Sequence, residues 1–155
     1  MSLSLVLTLT IACLIASAGP VASKPNCKVD EYTKIYREDQ QQRLDNYALL
    51  LEKSPQAQGF ILVYGGKKDR FGQNPSRGEA RFRADAIKNY LVNTRGIKGE
   101  RLRAIDGGYR ETWTVELYVC PFDSAQPTPT PTLTAKQIKF MTGRKKQREY
   151  VVSCD

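Results

Sequence analysis

The segment from Phe60 to Val119 constrains the fold most, because it holds a strand pattern, a helix pattern and two further strand patterns with only short connections between them. Residues 60–64 form a short apolar run that two glycines, Gly65 and Gly66, bring to an end. Such a run is typical of a strand that is buried on both faces. Strands of this kind usually pair with a parallel neighbour, so we expect one here.

The residues that follow this strand change to a helical period. Apolar side chains recur every third or fourth residue, at Ala80, Ala84, Ile87 and Leu91. Charged and polar side chains fill the positions between them, which is the pattern of an amphipathic helix. Gly96 then gives the helix its C-terminal stop.

Two more strand patterns follow the helix. Residues 101–105 have the length and the apolar content of a strand, and Gly107 and Gly108 predict a turn after it. From Thr112 to Val119, apolar and polar side chains alternate, which is typical of a strand with one face on the core. We therefore expect these two strands to form a hairpin.

A strand over residues 29–35 and a helix over residues 39–53 are predicted before this segment. The helix carries one apolar stripe, formed by Leu44, Tyr47, Ala48 and Leu51. The predicted order is thus β-α-β-α-β-β. Two crossover helices on one sheet give an α+β or α/β two-layer sandwich, with both helices on one face of a mixed sheet.

Residues 1–23 carry no charged side chain, and a mostly apolar run within them is followed by small residues. This pattern predicts a secretory signal peptide that is cleaved after export. The segment lacks the Lys or Arg that usually opens a signal, so a retained membrane anchor is the alternative. The apolar run of about 16 residues falls short of the roughly 20 that span a bilayer. We therefore expect an exported protein with no transmembrane span after cleavage.

The mature chain divides into three parts by composition. Residues 24–122 form one domain, residues 123–134 a Pro/Thr-rich linker that favours extended geometry and cannot pack a core, and residues 135–155 a basic tail. The tail could form a short hairpin from residues 136–140 and 150–152. From Leu133 onward the chain holds six basic and two acidic residues. It serves either as a solvated tail or as a contact surface for wall polymers or lipid head groups.

Three cysteines remain after removal of the signal: Cys27, Cys120 and Cys154. An oxidising compartment predicts one disulfide and one remaining thiol. The sequence leaves all three pairings open, with a slight preference for Cys120 and Cys154, because that bond would fix the tail to the domain. A metal site is not expected, because the chain has no histidine and no Cys-x-x-Cys spacing.

No group of residues has the composition of a catalytic site. Without histidine, general acid–base chemistry would need carboxylates, lysines or tyrosines, and we expect neither an enzyme nor a cofactor. The glycines before Lys67 and Lys68 lack the spacing of a phosphate-binding P-loop. A pI near 9.4 raises the question of nucleic-acid binding. The leader argues against nucleic acid, since basic exported proteins more often meet anionic envelope polymers.

The second helix also carries a family resemblance. Residues 80–91 read Ala-Arg-Phe-Arg-Ala-Asp-Ala-Ile-Lys-Asn-Tyr-Leu, and Arg95-Gly96-Ile97 follow. Together with the predicted order of elements, this stretch resembles the OmpA C-terminal-like domain, whose motif Asn-x-x-Leu-Ser-x-x-Arg-Ala-x-x-Val opens the same helix. The similarity covers roughly residues 29–119.

The resemblance implies a function and a site. Members of this family typically bind peptidoglycan without a covalent bond, and they hold the carboxylates of its diaminopimelate with a helix arginine, a loop aspartate and backbone amides. Arg83 matches the family arginine, and Asp69 is the best match for the loop aspartate. Four further cations would give the loop a positive potential: Lys67, Lys68, Arg70 and Arg77.

The chain departs from the family motif at three positions. It has Ser76, Glu79 and Ala80 where the family has Asn, Leu and Ser. We therefore expect the scaffold to be kept and the ligand site to be altered. The predicted partner is peptidoglycan or another anionic envelope polymer, in the periplasm or at the outer membrane. A protein partner in the envelope is the alternative if the site has been lost.

Overall fold

The computed structural model describes residues 27–69 and 71–142. Its helices and strands follow one another as β1 (Lys28–Tyr32), α1 (Arg37–Lys53), β2 (Ala57–Gly65), α2 (Glu79–Asn93), β3 (Leu102–Tyr109) and β4 (Thr114–Pro121). Short 3₁₀ turns lie at Gly99–Arg101 and Ala135–Gln137. The predicted order of elements is confirmed, while the predicted signal peptide lies outside the described residues.

The four strands form one mixed sheet in the order β1-β4-β2-β3. β2 lies parallel to β3 and antiparallel to β4, and β4 is antiparallel to β1. Every residue of β2 is buried. The prediction of a strand buried on both faces with a parallel neighbour is therefore confirmed. The predicted hairpin of the last two strands is wrong, because β2 lies between β3 and β4 in the sheet and pairs with both of them.

Both helices pack on the same face of this sheet. Ile61 and Val63 of β2 lie opposite Leu117 and Val115 of β4, so the four side chains share one face. They belong to one apolar cluster with the buried side chains of both helices, which include Leu44, Tyr47, Ala48, Leu51, Ala80, Ala84, Ile87, Tyr90 and Leu91. The α+β, two-layer arrangement follows directly from the periodicity of the sequence. Within the described residues, no helix has the length and apolarity needed to cross a membrane.

Two positive φ angles set the boundaries of the elements. Lys34 has φ 48°, which turns the chain away from the sheet, so β1 ends at Tyr32 and not at the predicted Ile35. Gly96 has φ 69° after the end of α2. The chain reverses there, and the N–H of Ile97 donates to the carbonyl of Leu91 while its side chain enters the core.

The predicted turn at Gly107 and Gly108 is wrong, because both residues lie inside β3. Val63 pairs with Asp106 and Gly65 pairs with Tyr109, so β3 has one more residue than β2 between these two pairs. This extra residue is a β-bulge in β3 at the glycines. A Cβ on Gly107 would lie 2.6 Å from Cε1 of Tyr64. Glycine is needed here because a ring packs on the strand, and the chain turns only after Tyr109.

The predicted linker does pack on the domain. Thr130 donates its N–H to the hydroxyl of Tyr64 at 3.1 Å, and Leu133 donates its N–H to the carbonyl of Tyr109 at 3.0 Å. Residues 127–141, which we call the strap, thus run along the domain. The extended geometry that proline favours suits a chain that lies along a strand in this way.

The predicted tail hairpin is wrong in its first strand. Where residues 136–140 were expected to be extended, a 3₁₀ turn spans Ala135–Gln137, and Thr134 and Gln137 form a capping box around it. After the turn, Ile138 is buried, and the ring of Phe140 packs on Tyr109 with the centroids 5.6 Å apart. The second predicted strand, residues 150–152, lies outside the described residues.

The disulfide joins Cys27 to Cys120, so the preferred pairing of Cys120 with Cys154 is wrong. β1 and β4 are antiparallel neighbours, which places the residue before β1 beside the end of β4. The N–H of Val119 donates to the carbonyl of Cys27, and the Cα atoms of the two cysteines are 5.2 Å apart, a normal distance for a disulfide. Cys154 itself lies outside the described residues.

Candidate functional site

Three connections meet at a cleft of about 560 Å³ at one end of the sheet. The β1–α1 connection contributes Lys34, Ile35 and Tyr36. The β2–α2 connection contributes Lys68, Asp69, Phe71 and Gly72, and the β3–β4 connection contributes Trp113. We call this space the loop cleft. Tyr36 and Phe71 are among the most exposed large apolar side chains of the described residues. The loop cleft therefore combines charged groups with aromatic surface.

Asp69 is buried and organises the β2–α2 loop. Its Oδ1 accepts hydrogen bonds from the N–H groups of Phe71 and Gln73, both at 2.8 Å. Its own N–H donates to the carbonyl of Gln73 at 2.8 Å, and its carbonyl accepts from Gly72 at 3.1 Å. This is the local hydrogen bonding through which an aspartate builds a turn.

The two neighbouring lysines of this loop have different positions. Lys68 lines the loop cleft, and its Nζ donates to Oδ1 of Asn74 at 3.0 Å. Lys67 does not line the loop cleft, because its Nζ pairs with Glu111 at 2.9 Å across to the β3–β4 turn. Lys34, which the sequence did not single out, adds a second lysine to the loop cleft. Nothing in the sequence indicated the positive φ of Lys34.

Arg83 lies next to the loop cleft but does not line it. It is 3% exposed, and its Nη2 donates to Oε1 of Glu79 at 2.9 Å. The guanidinium carbon lies 4.4 Å from the centroid of the Trp113 ring. Trp113 thus contacts Arg83 and also lines the loop cleft. The spacing of Glu79 and Arg83, four residues apart on a predicted helix, was the signal that could have revealed this pair.

Three polar atoms in the group around Arg83 are buried without a hydrogen-bond partner among the described residues. They are Oε2 of Glu79, Nε1 of Trp113 and the hydroxyl of Tyr32. A buried polar atom without a partner carries a cost in stability that a ligand could remove. The ring of Tyr32 packs edge-on against Trp113, and burial raises the pKa of the Tyr32 hydroxyl. We call Glu79, Arg83 and Trp113 the buried arginine cluster.

The remaining predicted cations fall elsewhere. Arg77 lies with its guanidinium carbon 4.3 Å from the centroid of the Phe140 ring, so it contacts the strap and not the loop cleft. The strap reaches the same loop a second time, where the N–H of Met141 donates to the carbonyl of Pro75 at 3.1 Å. Arg70 lies outside the described residues.

A second buried charge lies on the strap side of the sheet. The carboxylate of Glu116 accepts hydrogen bonds from the hydroxyls of Tyr118 at 2.8 Å and Tyr64 at 3.3 Å, and from Arg110 at 3.0 Å. We call these four residues the Glu116 network. Burial by itself would raise the pKa of Glu116, but the hydrogen bonds from Tyr118 and Arg110 and the charges of Arg110 and Lys28 outweigh burial and lower it.

The Glu116 network also holds the strap. Arg110 donates from Nη2 to the hydroxyl of Thr130 at 2.8 Å and from Nε to its carbonyl at 3.3 Å. The Arg110 guanidinium lies over the Tyr64 ring at 3.5 Å from the centroid. A single arginine thus joins the strap to a buried carboxylate of the sheet.

The structure therefore separates the five predicted site residues that it describes. Lys68 and Asp69 come together in the loop cleft, Arg83 lies beside it under Trp113, and Lys67 and Arg77 point to other contacts. The sequence missed Trp113 as a site residue because its place in an alternating strand predicted a core role. Among residues 27–69 and 71–142, no group of three or more acidic or cysteine side chains is placed to hold a metal ion.

Comparisons with known proteins add no assignment. No protein-family model matches the chain, and no curated protein or solved structure matches it. The resemblance to OmpA-like domains thus stays a prediction from the sequence.

Proposed function

We propose that this protein is an exported, non-catalytic domain of the cell envelope that binds peptidoglycan, or a related anionic wall component, in the loop cleft. The observation that carries this proposal is the meeting of Lys34, Lys68 and Asp69 in one cleft with an aromatic wall. Export rests on the composition of residues 1–23, and the ligand class on the resemblance to OmpA-like domains.

The charges of the loop cleft suit a ligand that carries both carboxylate and ammonium groups, as peptidoglycan stem peptides do. Lys34 and Lys68 attract carboxylates, and the carboxylate of Asp69 places a negative charge in the same cleft for an ammonium group. Trp113 and Phe71 supply apolar contact area around these groups, as is usual in ligand sites. The net charge of +8 brings the domain toward an anionic polymer.

Co-sedimentation of the leader-free protein with purified peptidoglycan sacculi tests this proposal. Lys68→Ala removes a cation from the loop cleft, and Lys67→Ala removes the neighbouring cation outside it, with the same change in net charge. We expect Lys68→Ala to weaken binding by about three- to tenfold and Lys67→Ala to leave it close to wild type. Equal losses for both variants, abolished by salt, would mean charge attraction without a site.

A second candidate function is a protein-interaction module on the same scaffold. The observation that favours it is the pairing of Arg83 with Glu79, which occupies the arginine that the resemblance assigns to ligand binding. The sedimentation experiment separates the two functions. Folded wild-type protein that stays in the supernatant at low salt would exclude wall binding and favour a protein partner.

A further inference from the structure

We infer that the buried arginine cluster is a carboxylate-binding site occupied by an internal carboxylate, and that Glu79 competes with the ligand for Arg83. This inference rests on the proposed function, because the competing ligand is a carboxylate of the wall component bound next to it in the loop cleft. It assigns a role to Glu79 and Trp113 that the sequence did not indicate.

The geometry of the pair supports competition. The side chains of Arg83 and Glu79 are 4% and 5% exposed, and one oxygen of Glu79 lies 2.9 Å from Nη2 of Arg83. A guanidinium recognises any carboxylate through the same N–H groups, so a ligand carboxylate and the Glu79 carboxylate cannot use this edge at once. A ligand carboxylate that binds at this edge of Arg83 therefore displaces Glu79.

Two unpartnered atoms show that the internal carboxylate is an imperfect occupant. Oε2 of Glu79 has no hydrogen-bond donor among the described residues, and the indole N–H of Trp113 has no acceptor there. Exchange of Glu79 for a ligand carboxylate would return Oε2 to water. The indole N–H is a further donor for a ligand carboxylate, because Trp113 packs on Arg83 and lines the loop cleft.

The position of Glu79 makes this exchange local. Glu79 is the first residue of α2, and Gly78 before it has φ 76°. Rearrangement of the first helical turn is enough to release the side chain, while Arg83 stays fixed one turn further into the helix. Glu79 thus acts as a gate on the site. The apparent affinity for a carboxylate ligand falls as the fraction of molecules in which Glu79 occupies Arg83 rises.

The test compares two charge-neutralising variants of α2. Glu79→Gln weakens the internal competitor, and Asp85→Asn makes the same change in net charge at an exposed ion pair with Arg81 that has the same i,i+4 spacing. The ligands are purified sacculi and a soluble stem peptide, used with free carboxylates and in a carboxyl-amidated form. Binding of the soluble peptides is measured by calorimetry.

We expect Glu79→Gln to bind the free-carboxylate peptide at least about tenfold more tightly than wild type, as removal of an occluded state predicts. The amidated peptide should show no such gain, and Asp85→Asn should bind as wild type does. A folded Glu79→Gln protein with unchanged affinity, or an equal gain in Asp85→Asn, would overturn the inference while leaving wall binding by the wild type intact.

Two further outcomes complete the test. If Glu79→Gln does not fold, Glu79→Asp keeps the charge on a shorter side chain that reaches Arg83 less well, and a smaller gain in affinity is expected; no gain in this variant overturns the inference. If no folded variant binds sacculi or peptide, the proposed function fails together with the inference.

Discussion

The two faces of the sheet are covered in different ways. On one face, apolar side chains of α1 and α2 meet Ile61, Val63, Val115 and Leu117. On the other side, the strap is held by polar contacts through the hydroxyl of Tyr64 and the Arg110–Glu116 pair, and by fewer apolar contacts, of Ile138 and Phe140. The burial of apolar side chains contributes a large free energy that does not depend on bond direction, whereas each hydrogen bond contributes little net free energy. We therefore expect the helix face to supply most of the stability of the fold, and the strap to open without unfolding the domain.

The largest effect is expected on the helix face. Leu51 of α1 is fully buried, whereas Leu49 on the same helix is 50% exposed. Leu51→Ala should lower the free energy of unfolding by about 2–5 kcal/mol, because it leaves a cavity in the core. Leu49→Ala should change it by less than about 0.5 kcal/mol. Urea unfolding followed by circular dichroism measures both, and equal losses would contradict the assigned helix face.

An intermediate effect is expected at the Glu116 network. Glu116→Gln removes the charge that accepts from Arg110, Tyr64 and Tyr118, and should cost about 1–3 kcal/mol of unfolding free energy. Neutralisation of Glu111, an exposed residue paired with Lys67, is the matched control and should cost less than about 1 kcal/mol. A cost for Glu116→Gln no larger than that of the control would mean that the network does not stabilise the strap face.

The same network predicts a dependence of stability on pH. The pKa of Glu116 is lower in the folded protein than its ordinary value, so the folded state favours the ionised form. Its contribution is fully present above the unfolded pKa, near 4.3, and is lost as the pH falls through the folded pKa. We expect Glu116→Gln to flatten the loss of stability below about pH 4.5. Thermal unfolding of wild type and variant between neutral and acidic pH measures this, and parallel curves would contradict it.

The smallest effect is expected in the strap. Thr130→Ala removes the hydroxyl that accepts a hydrogen bond from Arg110 and should lower the free energy of opening the strap by about 1 kcal/mol or less. The strap should open faster, while the global stability of the domain should not change. Hydrogen exchange at the Leu133 amide, which donates to Tyr109, reports this opening. Thr132→Ala, at an exposed side chain of the strap, is the control. Faster exchange in β4 as well would mean that the strap and the sheet open together.

The same contrast explains which features the sequence could predict. Helix-face residues such as Leu44, Ile87 and Val115 follow the 3.6- and 2-residue periods, so the core and the order of elements could be read from their spacing. Contacts of the strap, such as Thr130 with Tyr64, follow no period and depend on the fold already formed. The disulfide partner of Cys120 required the register of β1 on β4, which no local pattern specifies.

The candidate site could be predicted only in part. The position of Asp69 next to Lys68 in the loop after β2 placed both residues in the loop cleft. The alternating pattern around Trp113 indicated burial correctly but could not indicate that the ring also borders the loop cleft. The site role of Arg83 stays a prediction from the sequence. Its pairing with Glu79 depends on side-chain directions that the spacing alone permits but does not fix.

The Cys27–Cys120 bond also determines how the domain responds to tension. A force that pulls on the chain before Cys27 and after Cys120 passes through the covalent bridge, so the chain between the two cysteines carries no load. That stretch contains both helices, the strands of the sheet as far as Cys120, and the residues that line the loop cleft. The strap lies beyond the bridge and would detach first, because hydrogen bonds and ring contacts hold it. A molecule anchored at both ends could lengthen by release of the strap while the binding surface keeps its shape.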